Sequence, residues 1–438
     1  MAETVFYLVA GALLLAFGGE FVVRVGLGAL GDKTSGVGAA VAVLIVTLGS
    51  IFPEASLIYQ TQKLNWKLDN GEVWVTFDNQ GYKDPVTLDD RSSTDVVTPA
   101  CEGCRKYKAN DNRWVEPKVI QQIKDRISVS VPLGIIFGGC LLNLLLIVGI
   151  AGLRTGKPIP TSLPALMRDA LFLAAGLVYA AIVILHWKAS WADHLGLGGI
   201  AIAVLYLFVV IATERPQNAD SLADTAANVA TPGRATGAMA ILYIAGGALA
   251  LWFGAKFIMD VISDHVMMLY FNNSHGLLDA FAPVALFGVA GIVALPELMA
   301  ALVSSRNGDA QLATRTLISA AVLNLLAVLG FAVWRFKDIG ATTHLNFAFD
   351  LGMLAIASFF VVLLLASKAE LSRGESAFLI LLYVVYVGMR FVPIAPTPTD
   401  REIRTDIPTL CQTVTAADFV NKWANNRFGE AVCEEALR

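Results

Sequence analysis

The sequence predicts an all-α polytopic membrane protein of ten transmembrane helices, built as two inverted five-helix repeats with a small β-containing extracytoplasmic insertion. Three observations lead there: the apolarity of the chain, its ten long apolar stretches, and segments of the first half that recur in the second. Of the 438 residues, 56% are hydrophobic and only 16% charged, and the mean hydropathy is +0.63. A soluble chain of this length could not cover so much apolar surface, so lipid must be the solvent for most of it.

A helix needs about 20 residues to cross roughly 30 Å of hydrocarbon. Stretches that meet this requirement run near 4–30, 38–60, 129–152, 167–187 and 192–213, then near 237–262, 279–305, 312–334, 346–368 and 375–394. None shows the period-two alternation of a barrel strand. The first is read as a retained helix, since it is too long for a signal peptide and carries Glu20 and Arg24. An even number of spans puts both termini on one side. Short loops opposite the termini carry Lys33, Arg154, Lys157, Arg168, Arg215, Arg234, Arg306, Arg315, Lys368 and Arg373, against Lys188, Arg335, Lys337 and Arg390 on the termini side. Basic residues mark the cytoplasmic face, so both termini are expected outside the cytoplasm, in a bacterial inner membrane or its equivalent.

These spans divide the chain into a first transmembrane repeat (1–60 and 129–213), an outer insertion (61–128), a cytoplasmic linker (214–236), a second repeat (237–394) and an outer tail (395–438). Within the insertion, residues 64–68 and 72–77 flank an Asn70-Gly71 pair and read as two strands around a tight turn. Its basic and acidic residues balance at eleven each, which excludes a nucleic-acid patch. Four of the five cysteines fall in the outer regions: Cys101 and Cys104 in a C-x-x-C, Cys411 and Cys433 in the tail. In an oxidising compartment the simplest expectation is two disulfides, Cys101 with Cys104 and Cys411 with Cys433. A cross-linked pairing, a four-thiolate zinc site or a redox C-x-x-C stay open. Cys140 lies inside a span and reads as a small buried hydrophobe.

The halves overlay directly. Gly11-Ala12-Leu13 through Phe17-Gly18 matches Gly247-Ala248-Leu249 through Phe253-Gly254; Phe52-Pro53-Glu54 matches Leu295-Pro296-Glu297; Leu142-Asn143-Leu144-Leu145 matches Leu323-Asn324-Leu325-Leu326. From glutamate to asparagine is 89 residues in one half and 27 in the other, and the difference of 62 is the insertion. Five spans per half reverse the second copy across the membrane, which brings the two Pro-Glu elements together near the midplane.

A carboxylate at the bilayer centre costs at least a few kcal/mol, so Glu54 and Glu297 need a cation, a proton or a donor. Pro53 and Pro296 each remove an N–H and displace the carbonyl four residues earlier, at Gly49 and Ile292. Two carboxylates, freed carbonyls and the amide oxygens of Asn143 and Asn324 make a set suited to hard cations such as Ca²⁺ or Na⁺. A plain proline kink with a hydrogen-bonded, protonated glutamate is the bland alternative, and its recurrence at equivalent positions weighs against it.

At these residues the chain resembles the sodium/calcium exchanger family of the cation/calcium antiporter superfamily, whose repeats carry Gly-Thr-Ser-Leu-Pro-Glu and, one helix later, Gly-Ser-Asn-x-x-Asn. Here the first segment stands as Gly49-Ser50-Ile51-Phe52-Pro53-Glu54 and as Ile292-Val293-Ala294-Leu295-Pro296-Glu297. The second stands as Gly138-Gly139-Cys140-Leu141-Leu142-Asn143 and as Ser319-Ala320-Ala321-Val322-Leu323-Asn324. The resemblance implies a secondary antiporter, with no cofactor, whose glutamates coordinate the transported cation and whose Asn143, Asn324 and Ser50 assist. Departures fall on the hydroxyls: Val293-Ala294 replace the pair in the second repeat, and Gly139 and Ala320 replace the later serine. The thinner oxygen set suits three-Na⁺-for-one-Ca²⁺ exchange poorly unless water fills the gaps. Paired carboxylates can take up and release protons, so proton-coupled exchange stands as a variant beside Na⁺-coupled exchange. The rival reading is a transport-inactive descendant that uses residues 61–128 and 395–438 to hold partner proteins. No nucleotide loop, nucleophile motif or haem-attachment sequence points to an enzyme.

Overall fold

The computed structural model describes residues 6–18, 51–63, 105–106, 114–115, 117–155, 158–186, 189–213, 237–272, 284–306, 310–336, 347–367 and 370–391. A helix falls within each of the ten apolar stretches. Helix α1 is Phe6–Gly18 and α2 is 51–63. Helix α3 (Pro117–Leu141) passes through a π-helical turn (Leu142–Ile147) into α4 (Val148–Thr155). The hairpin α5 (Leu163–His186) and α6 (Ala189–Thr213) completes the first half. In the second half, α7 is Gly237–Asn272. A π-helical turn at Val284–Val289 leads into α8 (Ala290–Val293) and α9 (Leu295–Arg306). Helix α10 (Ala310–Leu323) passes through a third π-helical turn (Asn324–Val328) into α11 (Leu329–Arg335). The last hairpin is α12 (Ala348–Ser367) and α13 (Arg373–Phe391).

Five helical stretches among the described residues are long and apolar enough to cross a membrane, and their burial sorts them into two layers. Val131–Thr155 and Thr314–Arg335 are 89% and 83% buried, whereas Leu163–Leu185, Trp191–Thr213 and Ala348–Ser367 are 39%, 28% and 39% buried. The first pair is the protein's interior; the others turn side chains such as Leu171, Phe208 and Phe359 outward. Apolar side chains facing out at this density identify a lipid-facing surface and an integral membrane protein.

Helix ends carry the signals expected of them. Pro164 sits in the first turn of α5, where its missing N–H would have had no partner. Ser372 and Glu375 cap α13 reciprocally: Ser372 N–H donates to Glu375 Oε2 at 2.7 Å, and Glu375 N–H donates to Ser372 Oγ at 3.3 Å. Helix α3 begins at Pro117, well before the apolar stretch near 129, and passes Pro132 without ending. Of the insertion, a short antiparallel ladder of β1 (Arg105–Lys106) and β2 (Trp114–Val115) pairs Arg105 with Val115. The hairpin expected at 64–77 lies outside the described residues, as do Cys101, Cys104, Cys411 and Cys433. Cys140 is the buried free thiol it was expected to be.

The packing crosses between halves. Helix α4 packs on α13, and α11 packs on α6. Glycines make both contacts close. A Cβ at Gly149 would meet Ser376 O at 2.8 Å, and one at Gly196 would meet Gly330 O at 2.7 Å and Trp334 N at 2.6 Å. Without a hydrophobic drive between helices in lipid, this backbone approach supplies the association. At one face the turns before α5 and before α13 are joined by strands β3 (Ile159–Pro160) and β4 (Glu370–Leu371), with Ile159 opposite Leu371. At the other face Arg335 Nε donates to Gln62 Oε1 at 2.7 Å, tying the ends of α11 and α2. Both links join turns or ends that the span count puts on the same side.

Gly196→Leu should force α6 away from α11. Overpacking of this kind costs about 1–3 kcal/mol, and a fall of several degrees in the unfolding temperature of the detergent-solubilised protein is expected, whereas Gly198→Leu, with open space beside it, should leave the transition unchanged.

Candidate cation site

Helix breaks place the two glutamates. Helix α8 ends at Ala294 (φ −81°, ψ 5°), whose N–H donates to Ala290 O at 2.9 Å. Pro296, the second residue of α9, cannot donate to a preceding turn, so the chain restarts there and Glu297 falls in the first turn of the new helix. Pro53 precedes Glu54 near the start of the described part of α2, and both are buried. Gly49 and Ser50 lie outside the described residues, so Ser50 has no place in the geometry that follows.

The asparagines sit at matching irregularities. Asn143 is the second residue of the Leu142–Ile147 π turn and Asn324 opens the Asn324–Val328 π turn. A π turn adds a residue to the helical ring and changes which side chains face inward, which is why such turns recur at functional sites. The turn bearing Asn143 packs against α9 and α10, and the turn bearing Asn324 packs against α3.

These breaks bring Glu54 and Asn324 into contact, with Asn324 Nδ2 donating to Glu54 Oε1 at 3.3 Å. Gly139 borders the same spot: a Cβ there would stand 3.8 Å from Asn324 Nδ2 and 3.9 Å from Glu54 Oε1. Asn143 follows one helical turn later. Glu297 lies within electrostatic reach of Glu54. All four polar residues are at most 3% exposed. Glu54 Oε2, both Glu297 oxygens, Asn324 Oδ1, and Asn143 Oδ1 and Nδ2 have no hydrogen-bond partner among the described residues. Buried acceptors left unpaired cost about 1–3 kcal/mol each, more when charged, so this cluster calls for a positive partner. Among the described residues no group of three or more His, Cys, Asp or Glu could hold a metal. A few carboxylates with amide oxygens suit a passing hard cation better than a resident transition metal.

Two buried acids were passed over in the sequence. Asp169 in α5 and Asp350 in α12 are 1% and 0% exposed. Asp350 Oδ1 accepts from Tyr386 Oη at 2.9 Å and faces Arg390 Nε at 3.5 Å. Asp169 Oδ1 is met by Arg168 Nη2 at 2.8 Å and by Tyr206 Oη at 3.2 Å. The signal was available: the two aspartates are separated by 181 residues, the same spacing that separates Asn143 from Asn324.

Fold and site together describe a helical integral membrane protein with a buried cluster of oxygens able to take a cation. Comparison with known proteins agrees. Residues 239–392 match the model of the sodium/calcium exchanger protein family. The chain is 25% identical over 266 residues to the inner membrane protein YrbG of Escherichia coli (strain K12), covering 59% of this chain and 76% of that protein. In structure it is similar to the H⁺/Ca²⁺ exchanger CAX, with a TM-score of 0.55 at 12% identity, covering 99% of this chain and 90% of that one. It is also similar to the sodium-calcium exchanger NCX_Mj, with a TM-score of 0.52 at 14% identity, covering 88% of this chain and 97% of that one. The structural likenesses carry the fold, and the sequence match over residues 239–392 is a similarity to the sodium/calcium exchanger protein family.

A cation that binds this cluster should stabilise the folded protein by RT ln(1 + [L]/Kd), about 2.7 kcal/mol at a hundredfold excess over Kd. Titrating Ca²⁺ into the detergent-solubilised protein should therefore raise its unfolding temperature, and Glu297→Gln should remove most of that rise.

Proposed function

We propose that the chain is a secondary-active antiporter that exchanges Ca²⁺ or a similar hard cation for Na⁺ or H⁺. Glu54 and Glu297 are the central ligands, with Asn143 and Asn324 completing the site from the two π turns. Ser50 is assigned to the same site on the resemblance alone. The observation that carries this reading is the Glu54–Asn324 contact, surrounded by buried oxygens with no protein partner. Such a cluster is unfavourable when empty and favourable when a cation fills it.

The two halves act as inverted repeats about this site, as their matched Pro-Glu and Asn segments and the crossed packing of α4 on α13 and α11 on α6 support. Alternating access then moves one set of helices against the other while the ligands stay near the midplane. Ten spans, both termini outside the cytoplasm and a location in a bacterial inner membrane complete the reading; the similarity to an inner membrane protein supports the last. The match of residues 239–392 to an exchanger family model weighs against the scaffold alternative.

The loss of hydroxyls bears on the coupling ion. Gly139 leaves space beside Glu54 Oε1, and where a hydroxyl is missing, water or a protonated carboxyl takes its place. H⁺ is thus the preferred counter-ion in this reading, and Na⁺ the alternative.

Uptake of ⁴⁵Ca²⁺ into proteoliposomes should follow an imposed pH gradient, and Glu54→Gln should lower it by a hundredfold or more without reducing membrane insertion. No uptake under either a pH or a Na⁺ gradient would sink the antiporter reading for Ca²⁺. Gly139→Ser, which adds a hydroxyl at ordinary contact distance from Glu54 and Asn324, should raise the share of uptake driven by Na⁺.

A further inference from the structure

The Asp169 cluster is more than a fastening within its hairpin. Tyr206, on α6, lies between Asp169 Oδ1 at 3.2 Å and Ser319 Oγ at 2.8 Å. Ser319 is on α10, five residues before Asn324, which is roughly 7.5 Å along the helix axis. All three side chains are at most 6% exposed. A tyrosine hydroxyl carries one proton and can give it to one neighbour while accepting from the other. Asp169, Tyr206 and Ser319 therefore form a hydrogen-bonded row that can be polarised in either direction.

One end of this row borders a small cleft of about 10 Å³, room for about one water, lined by Asp169, Thr161, Ser162, Thr314, Arg315 and Ile318, among others. It lies at the β3–β4 face, the face the loop charges mark as cytoplasmic. Among the described residues, the charged and titratable groups around Asp169 are Arg168 on its own helix, Tyr206 on α6 and Arg315 on α10, and α12 brings the apolar Leu365 to the cleft. Arg168 also donates to Thr213 Oγ1 at 2.9 Å, so it has a second anchor when the carboxylate takes a proton.

The other half shows what is special here. Asp350 and Tyr386 repeat the Asp–Tyr pair, but the position equivalent to Ser319 is Gly138. A side chain there would run into the carbonyl oxygen of Leu286, so the second pair cannot be extended inward in the same way. A contact needed only to hold a hairpin together would not require the serine, and the Asp350 hairpin does without it.

The geometry points to a proton relay: Asp169, Tyr206 and Ser319 carry protons between the cytoplasmic cleft and the cation site. Asp169 takes a proton from water in the cleft and passes it to Tyr206 Oη as the tyrosine's own proton moves to Ser319 Oγ. The serine's proton then leaves to water on the Asn324 side. Each group gains one proton and loses one, and rotation of the two hydroxyls resets the row. In the opposite polarity the same row carries a proton outward to the cleft. The inference rests on the antiporter reading and names the route of its counter-ion.

Two fluxes in the same proteoliposomes test it: ⁴⁵Ca²⁺ uptake driven by a pH gradient, and ⁴⁵Ca²⁺ self-exchange at equal Ca²⁺ and equal pH on both sides, which needs no net proton movement. Tyr206→Phe and Ser319→Ala should each lower pH-driven uptake at least tenfold and change self-exchange less than twofold, and Ser319→Thr should restore it. An equal fall in both fluxes would assign the row a purely structural role and overturn the relay, as would no change in either. Wild-type uptake driven by Na⁺ but not by pH overturns the relay and leaves the antiporter standing. Absence of every Ca²⁺ flux overturns the antiporter reading and the relay with it.

Discussion

Burying two carboxylates, Glu54 and Glu297, is the constraint on which this structure turns. Glu54 and Glu297 would each cost several kcal/mol if they faced hydrocarbon, so the fold wraps them in the two most deeply buried stretches, Val131–Thr155 and Thr314–Arg335. Those stretches are apolar almost throughout, and one of the few polar groups they bring, Asn324, donates to Glu54. The interruption at Ala294, the prolines before each glutamate and the π turns at both asparagines all fall at or beside the four buried polar residues. Regular helix fills the remainder because lipid offers its backbone no other partner.

Much of this was legible because membranes simplify the reading. Hydropathy finds the stretches that lipid demands, and a helix does fall in each. It says nothing about where a helix stops once it has left the lipid, which is why the start of α3 at Pro117 was not foreseen: Lys118, Gln121, Gln122 and Lys124 are good helix formers with no hydropathy signal. The site was legible through repetition. A single Pro-Glu is ambiguous, but the same dipeptide in both halves, each followed by Leu-Asn-Leu-Leu, selects Glu54, Glu297, Asn143 and Asn324 from all other polar residues. Repetition was also the signal overlooked at Asp169 and Asp350, each of which reads alone as a stray acid. Whether a neighbouring side chain is Ser319 or Gly138 matters only once Tyr206 is known to lie beside it, and no pattern in one dimension states that.

The halves repeat the plan without repeating its details. Both carry an Asp–Tyr pair between the hairpin helices, yet the arginine comes from the adjacent residue in one and from the end of the partner helix in the other. Buried charge has to be paired, and more than one position can supply the pair. What the two copies keep in common is the glutamate and asparagine of each half; what they vary includes the hydroxyls around them and the pairing of the buried aspartates.

The short ladder between β3 and β4 fastens the turn at the head of the α5–α6 hairpin to the turn at the head of α13. Peripheral hairpins pinned at one membrane face can part only at the other. A tilt of one against its neighbour becomes a wedge whose apex is the ladder, with displacement growing in proportion to height above it. Over the 20 residues of α12, about 30 Å of rise, a rotation of about ten degrees about that apex moves the far end by roughly 5 Å, close to one helical turn. The bundle thus has a built-in lever arm, and its fulcrum lies at the face opposite the Arg335–Gln62 contact.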